Sequence, residues 1–397
     1  YFALEFFFTF TSVSNQHLMF RIGYDAKRLF NNFTGLGNYS RTLLQNMATY
    51  YPDNEYFLYT PKVNKSPETA FFLNSPLFSV HTPRRGSGAW WRSFSVVNDL
   101  KRHKIQLFHG LSHEIPAGVR RAGIPSVVTM HDLAFKRYPQ FYPFFDRHIY
   151  DIKFRHACQQ ADRVIAISES TRNDIIEFYQ IAPEKISVIY QSCHERFQQE
   201  KSQKTIDYVL KKYQLPTDYL LFVGSLSERK NPLAVLQAML QLPSAIQLPL
   251  VIIGEGQAYK KKVMEFVQQH KMERKVLFIR PEYEDLPAIY QQADVFLYPS
   301  FYEGFGIPIL EALFSETPVI TSNVSSLPEA AGPDSWLVHP DKPEEMAAGI
   351  QKILEDQAFR RNMIEKGYQY AQRFQGDVLS DQIMELYEDV LKIDAIV

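Results

Sequence analysis

Tyr219-Leu-Leu-Phe-Val-Gly-Ser-Leu-Ser-Glu-Arg-Lys-Asn231 begins as five apolar residues and ends as a basic, polar turn. A short, unbroken apolar run closed by Gly and Ser predicts a strand buried on both faces, as in a parallel sheet covered by helices. Working outward, similar runs recur toward the C-terminus at 250–253, 276–279, 295–298, 318–321 and 335–338. Toward the N-terminus they recur at 21–24, 56–59, 105–109, 125–130, 163–167 and 186–190. Helix-length segments separate them, so each run predicts one strand of a β-α-β unit. Two such series in succession predict an α/β chain of two doubly wound, Rossmann-like domains. In such sheets ligands bind at the carboxyl ends of the strands, where the turn 224–231 falls.

The two series meet in the polar stretch 191–215, which closes with Leu215-Pro216. The expected organisation is an extension over 1–18, a front domain over 19–200, a back domain over 201–375 and a helix over 376–397. That helix carries an apolar period (Val378, Ile383, Leu386, Leu391) suited to packing back across the front domain. Residues 1–18 contain no Lys or Arg, and Glu5 interrupts their apolar run, unlike a signal peptide. Met19 stands directly before the first strand run, so 1–18 are expected to precede the start site. No apolar run reaches the length of a membrane span. Cys158 and Cys193 have neither C-x-x-C nor zinc spacing, which points to a reducing, cytoplasmic setting. Residues 19–200 hold 23 Lys/Arg against 16 Asp/Glu, and residues 201–397 hold 20 against 27. The split fits two domains with different tasks or ordinary surface variation, and it does not call for nucleic acid.

Four segments carry candidate chemistry. Tyr302-Glu-Gly-Phe-Gly-Ile-Pro-Ile-Leu-Glu311 sets Glu303 and Glu311 around a glycine-rich turn, Gly304-Phe305-Gly306-Ile307, that opens a helix. With Pro308 at the first helical position, Glu311 falls in the first helical turn. Backbone N–H groups and a positive helix end then face one small space, beside carboxylates able to hold hydroxyl groups. A phosphate-bearing polyol such as a sugar nucleotide needs that combination. Arg229 and Lys230 offer a planar fork and a point charge for a diphosphate, although a solvated basic turn explains them too. Gly35-Leu36-Gly37 is expected as a loop before a helix over 40–47, aiming N–H groups at an anion; a plain strand-to-helix turn accounts for it equally. His131, at the end of Val128-Thr-Met-His-Asp132, is placed to reach a sugar hydroxyl or a reacting centre, or is a satisfied structural histidine. His109 shares that placement. Two carboxylates alone also suit glycoside hydrolysis, but that chemistry does not require the glycines or the Arg-Lys pair. No D-x-D triad is present to hold a metal on a diphosphate, so none is expected and the positive charge must come from the protein. Residues 135–156 mix aromatics with basic residues, which suits sugar stacking, an anionic membrane surface or an ordinary amphipathic helix.

Taken together, these motifs resemble the family 4 retaining glycosyltransferases of the GT-B fold, over most of 19–397. The specific part is the spacing of Glu303 and Glu311, followed by Thr317-Pro-Val-Ile-Thr-Ser and Ser326-Leu-Pro-Glu329. Arg229-Lys230, the Gly35–Gly37 turn and His131 match in order and placement. The resemblance implies that Glu311 binds the ribose, and that Glu303 with Gly304, Phe305, Gly306 and Ile307 holds the donor. Arg229 and Lys230 then neutralise the leaving diphosphate, Gly35, Leu36 and Gly37 cover it, Arg280 lies near the base and His131 near the anomeric carbon. The implied donor is a nucleotide sugar, GDP-mannose by likeness to the mannosyltransferase branch or a UDP-linked sugar. The implied acceptor, bound by the 19–200 domain while 201–375 binds the nucleotide sugar, is a glycan or lipid-linked oligosaccharide in polysaccharide synthesis, reached at the inner face of a membrane. A glycan phosphorylase or hydrolase, a non-hydrolysing sugar-nucleotide epimerase and a non-catalytic sugar-nucleotide-binding protein remain open alternatives. One departure stands out: Phe314-Ser-Glu-Thr317 occupies a turn that in the family often contains glycine, and it is expected to affect the helix end rather than the site.

Overall fold

The structure is a computed structural model that describes residues 19–84 and 87–393; the expected extension over 1–18 lies outside the described residues. The apolar runs become strands of two parallel sheets. The first contains β1 (Arg21–Asp25), β2 (Glu55–Tyr59), β3 (Phe78–His81), β4 (Leu107–Gly110), β5 (Ser126–Met130), β6 (Arg163–Ala166) and β7 (Ile186–Val188). Its order is β3-β2-β1-β4-β5-β6-β7. The second contains β8 (Leu220–Val223), β9 (Leu250–Ile253), β10 (Val276–Ile279), β11 (Val295–Tyr298), β12 (Val319–Ser322) and β13 (Trp336–Val338), in the order β10-β9-β8-β11-β12-β13. The central strands β4, β5, β11 and β12 are buried along their whole length, which is why they read as continuous apolar runs.

One strand escaped the sequence reading. β3 is the edge of the first sheet, and only Phe78 of its four residues is buried. A half-exposed edge strand lacks a continuous apolar run, so Ser79 and His81 masked it.

In each sheet the strand order reverses beside the first strand of the series, at β1/β4 and at β8/β11. Such switch points open a crevice beyond the carboxyl ends of the strands. Five helices matter for the cleft: α1 (Gly35–Tyr50), α2 (Phe144–Gln160), α3 (Glu169–Tyr179), α4 (Ile307–Phe314) and α5 (Gly376–Ile393). α5 lies against α1 of the first domain, where Tyr51 donates to Asp381 Oδ1 at 2.7 Å. Deeper in, Tyr387 of α5 meets His109 Nδ1 at 2.6 Å. The cluster of buried side chains that includes Tyr24 and Leu44 continues through Tyr219 and Phe305 to Phe374 and Tyr387. One apolar core therefore joins the two sheets and the last helix.

The crossover 191–215 bonds to the second domain before any strand begins. Lys201 donates its amide to Gln291 Oε1 and Gln291 donates to the Gln199 carbonyl, each at 2.9 Å.

Candidate active-site cleft

A cleft of about 830 Å³ lies between the carboxyl edges of the two sheets. Its lining includes Gly35, Leu36, His131, Arg229, Lys230, Glu303, Gly304, Phe305, Gly306, Ile307 and Glu311. Eight of these come from the second domain, from the turn holding Arg229 and Lys230 and from the turn and helix over 303–311.

Those two turns form a charged knot. Glu303 Oε1 stands 2.8 Å from Arg229 Nη1 and 2.7 Å from Lys230 Nζ. The contacts are ionic, without an N–H aligned on that oxygen. The aligned N–H groups go elsewhere: Arg229 donates to the Tyr302 carbonyl, and Lys230 to the Tyr298 hydroxyl at the end of β11. Burial alone would raise the Glu303 pKa, but Lys230 and Arg229 overcome it and hold the carboxyl at about 2. Arg229 is pushed up because the attraction of Glu303 outweighs its own burial. Lys230 is pulled down, by burial first and by neighbouring Arg229, against the pull of Glu303. Glu303 is thus ionised at neutral pH, and its charge is already engaged by cations. That disposes it to fix polar partners rather than to attack a glycosidic carbon.

The turn after Glu303 is shaped by its glycines. Gly306 has φ +123°, outside the range that side chains tolerate, and it caps the start of α4. At Gly304 a Cβ would fall 2.0 Å from the His131 carbonyl of the opposite domain, so only glycine lets the walls approach here. Ser326 buttresses the turn by reaching the carbonyls of Glu303 (2.9 Å) and Phe305 (3.0 Å). The amides of Gly304, Phe305, Gly306 and Ile307 find no protein acceptor among the described residues. Four donors at the head of a helix, beside two cations, make an anion cradle.

Glu311 differs from expectation in position. α4 begins at Ile307 with Pro308 second, so Glu311 lies beyond the first turn, on the side of the helix facing the cleft. It accepts from Tyr290 Oη at 2.9 Å, yet burial outweighs that bond and raises its pKa to about 7. The unusual Phe314–Thr317 turn does act at the helix end: Glu316 takes φ +57°, a conformation glycine adopts more cheaply.

The first-domain wall presents no cation to the cleft among its described lining residues and one acid, Asp132, whose carboxyl is raised above its usual range, chiefly by burial. His131 is buried; its Nε2–H donates to the Leu111 carbonyl at 2.8 Å and its Nδ1 accepts from Gln191 Nε2 at 3.0 Å. Burial holds it near pKa 4 despite the Leu111 contact, so it is uncharged at neutral pH. The ring also rests edge-on against Tyr39, with centroids 4.6 Å apart. His109 does not line the cleft: it bridges Tyr387 and Thr129 within the core.

Two expectations need correcting. Gly35-Leu36-Gly37 is not a loop before a later helix but the first turn of α1, which starts at Gly35 rather than near 40. Asn32 takes the side-chain capping role, accepting from the Thr34 and Gly37 amides at 3.0 Å each, so Gly37 serves the cap and does not line the cleft. Gly35 and Leu36 remain at the cleft with helix-end amides. Arg280 is also outside the lining. It follows the edge strand β10, is 76% exposed and pairs with Glu255, which itself faces the cleft. Sequence reading in turn missed Tyr298, Gln191 and Tyr39. Tyr298 carried a signal, as the last residue of a strand run. Gln191 carried none, because a lone glutamine in a crossover looks like any linker residue.

Two doubly wound domains facing across such a cleft define the GT-B architecture. Residues 33–192 match the model for Glycosyltransferase Family 4, and residues 209–370 match that for Glycosyl transferases group 1. The chain is 29% identical to O-antigen chain mannosyltransferase B of Escherichia coli, over 89% of this chain and 96% of that one. It is 28% identical to the serotype-specific mannosyltransferase WbdA of Escherichia coli over 65% of its length, spanning 33% of that larger protein. In fold it is similar to Anabaena Alr3699/HepE, solved in complex with UDP and glucose, with a TM-score of 0.75, 19% identity and coverage of 93% of this chain and 99% of that one. The chain belongs to the family 4 glycosyltransferases and is a transferase.

Proposed function

We propose that this protein is an anomer-retaining mannosyltransferase that takes mannose from GDP-mannose and extends a glycan or lipid-linked acceptor in polysaccharide synthesis. The observation that carries the reading is the pairing of Glu303 with Arg229 and Lys230 beside the open amides of 304–307. A diphosphate leaving group gathers negative charge as the bond to the anomeric carbon breaks. Two fixed cations and a set of aimed N–H groups stabilise that charge in a cleft of low water content. Glu303, released from part of its pairing as the diphosphate arrives, holds hydroxyls of the donor sugar. Glu311 holds the ribose. The bond from the anomeric carbon to the phosphate oxygen breaks, the bond to the acceptor oxygen forms on the same face, and the acceptor proton passes to the departing phosphate.

The positive charge is supplied by Arg229 and Lys230 rather than by a metal ion, so a chelator should leave the rate unchanged. The mannosyl donor rests on the likeness to O-antigen mannosyltransferases. Thermal-shift comparison of GDP-mannose with UDP-glucose, followed by proton NMR of the product anomer, tests donor and stereochemistry together. Stabilisation by UDP-glucose alone overturns the donor, and an inverted anomer overturns the mechanism.

The acceptor is reached at the cytoplasmic face of an anionic membrane. No described helix is long and apolar enough to cross a membrane. Phe144, Phe145, Ile149 and Ile152 of α2 are nevertheless 69%, 80%, 50% and 59% exposed, with Arg147, Lys153 and Arg155 on the same helix. Apolar residues flanked by cations suit a peripheral contact with anionic lipid. Phe145→Asp with Ile149→Asp should abolish co-sedimentation with phosphatidylglycerol vesicles; unchanged binding removes this face from the proposal.

A further inference from the structure

The segment Ser326-Leu-Pro-Glu329 does more than follow the donor turn in sequence. Ser326 holds the turn from within its own domain, through the carbonyls of Glu303 and Phe305. Glu329, at the other end of the segment, reaches across to the first domain. Its Oε2 accepts the Glu169 amide at 2.7 Å and its Oε1 accepts the Ser170 amide at 2.9 Å. These are the first two amides of α3, which have no acceptor within their own helix. The carboxylate satisfies both and meets the positive end of the helix.

The same helix end grips the donor turn at further points. Ser168, the N-cap of α3, donates to the Gly304 carbonyl at 2.7 Å. Thr171 donates to the His131 carbonyl at 3.2 Å. One turn further along α3, Asp174 accepts from Tyr302 Oη at 2.6 Å. Asp174 is itself paired with Arg137. The start of α3 is therefore bonded to both walls of the cleft, at Gly304 and at His131, and Glu329 bonds the opposite domain to that same start.

We infer that Glu329 is a positioning residue: it latches the donor-binding domain onto α3 and so fixes the spacing between the Glu303 turn and the His131 wall. It does not itself line the cleft. Its effect passes through Ser326 on one side and through the α3 amides on the other. A carboxylate is suited to this because both oxygens accept, whereas an amide presents one acceptor and one donor to two N–H groups.

The latch predicts a change in domain spacing as well as in rate. Nitroxide labels at Ile152→Cys and Tyr208→Cys, both exposed positions in opposite domains, report the distance in the full chain, while Cys158 and Cys193 are buried. The parent should give one narrow distribution, and Glu329→Gln should broaden it and move it to longer distances, with Glu329→Asp between them. Ser168→Ala, which leaves the carboxylate in place, should widen the distribution too and serves as the readout should Glu329→Gln fail to fold. Turnover of GDP-mannose should fall about tenfold or more in kcat, as for a lost charge-assisted hydrogen bond, with its KM nearly unchanged. Identical distance distributions in parent and variants overturn the latch, as does a loss confined to KM. The rate arm rests on the proposed donor, but the distance arm does not. A parent that ignores GDP-mannose while its variants open refutes the donor and leaves the latch standing.

Discussion

The two walls of the cleft answer different needs with different chemistry. The first domain presents His131, Tyr39 and Gln191, which are uncharged, and a single acid, Asp132, with no cation among its described lining residues. The second presents Glu303, Arg229, Lys230 and Glu311, charged or near their titration points. Charge counted along the chain ran the other way, with the basic excess in residues 19–200. Several of those cations are tied to nearby acids away from the cleft, as Arg137 is to Asp174 and Glu177 and Lys153 is to Glu114. Net charge therefore describes a half as a whole, while Arg229 and Lys230, held at the cleft, decide what its site can bind.

The second wall contains a comparison of its own. Glu303 and Glu311 share a side chain and one turn-plus-helix segment, yet their pKa values move in opposite directions. Burial raises both, and only Glu303 has two cations close enough to reverse it. For stability the signs follow. Glu303, lowered from 4.5 to about 2, contributes above pH 4.5, and that contribution is lost as pH falls toward 2. Glu311, raised from 4.5 to about 7, contributes below pH 4.5, and that contribution is lost as pH rises through 7.

The contrast between the walls can be broken most sharply at Glu303. Glu303→Ala should lower turnover by about 10²–10³-fold, the loss expected for a group acting at the transition state. It should also lower stability by about 3–5 kcal/mol, because buried Lys230 and partly buried Arg229 lose their partner. Steady-state kinetics with urea unfolding checks both; near-parent turnover refutes the role of Glu303 in donor binding. Next in size, Arg229→Ala with Lys230→Ala should weaken GDP binding by about 10- to 100-fold and guanosine binding far less, read by calorimetry. Equal losses for the two ligands place the cations away from the diphosphate.

A smaller effect separates the two glutamates. Ionised Glu311 accepts hydrogen bonds from two ribose hydroxyls, whereas the protonated form accepts them less well. GDP affinity should rise several-fold as pH climbs through about 7. GDP itself titrates nearby, so the measure is the difference between parent and Glu311→Gln across that range. A constant difference removes Glu311 from ribose binding. The smallest effect belongs to the first-domain wall. His131→Asn should cost about 3- to 10-fold in kcat, a neutral hydrogen bond's worth. Because His131 stays uncharged above about pH 4, it should add no inflection to the rate profile at neutral pH. A histidine inflection lost in His131→Asn contradicts its neutral state.

Much of the molecule was legible beforehand because parallel strands buried on both faces leave continuous apolar runs. β8 and β11, which carry the site, were clear for that reason, and β3 was not because an edge strand is half solvated. Glu303, Glu311, Arg229 and Lys230 were found because a turn at a strand end has a recognisable composition. Their state was not legible. Nothing in the spacing says that Glu303 binds both cations, or that Gly37 serves a cap while Arg280 stays in solvent.

By itself, the sequence determined the α/β alternation, the two-series layout and the residue types at the carboxyl ends of the strands, since these are local properties of burial and turn geometry. The tertiary structure alone decided which charges meet, which histidine is held neutral and how Glu329 reaches across to α3. Those outcomes depend on distances between segments 20 to 160 residues apart, where ångström-scale placement and desolvation set both hydrogen bonding and ionisation.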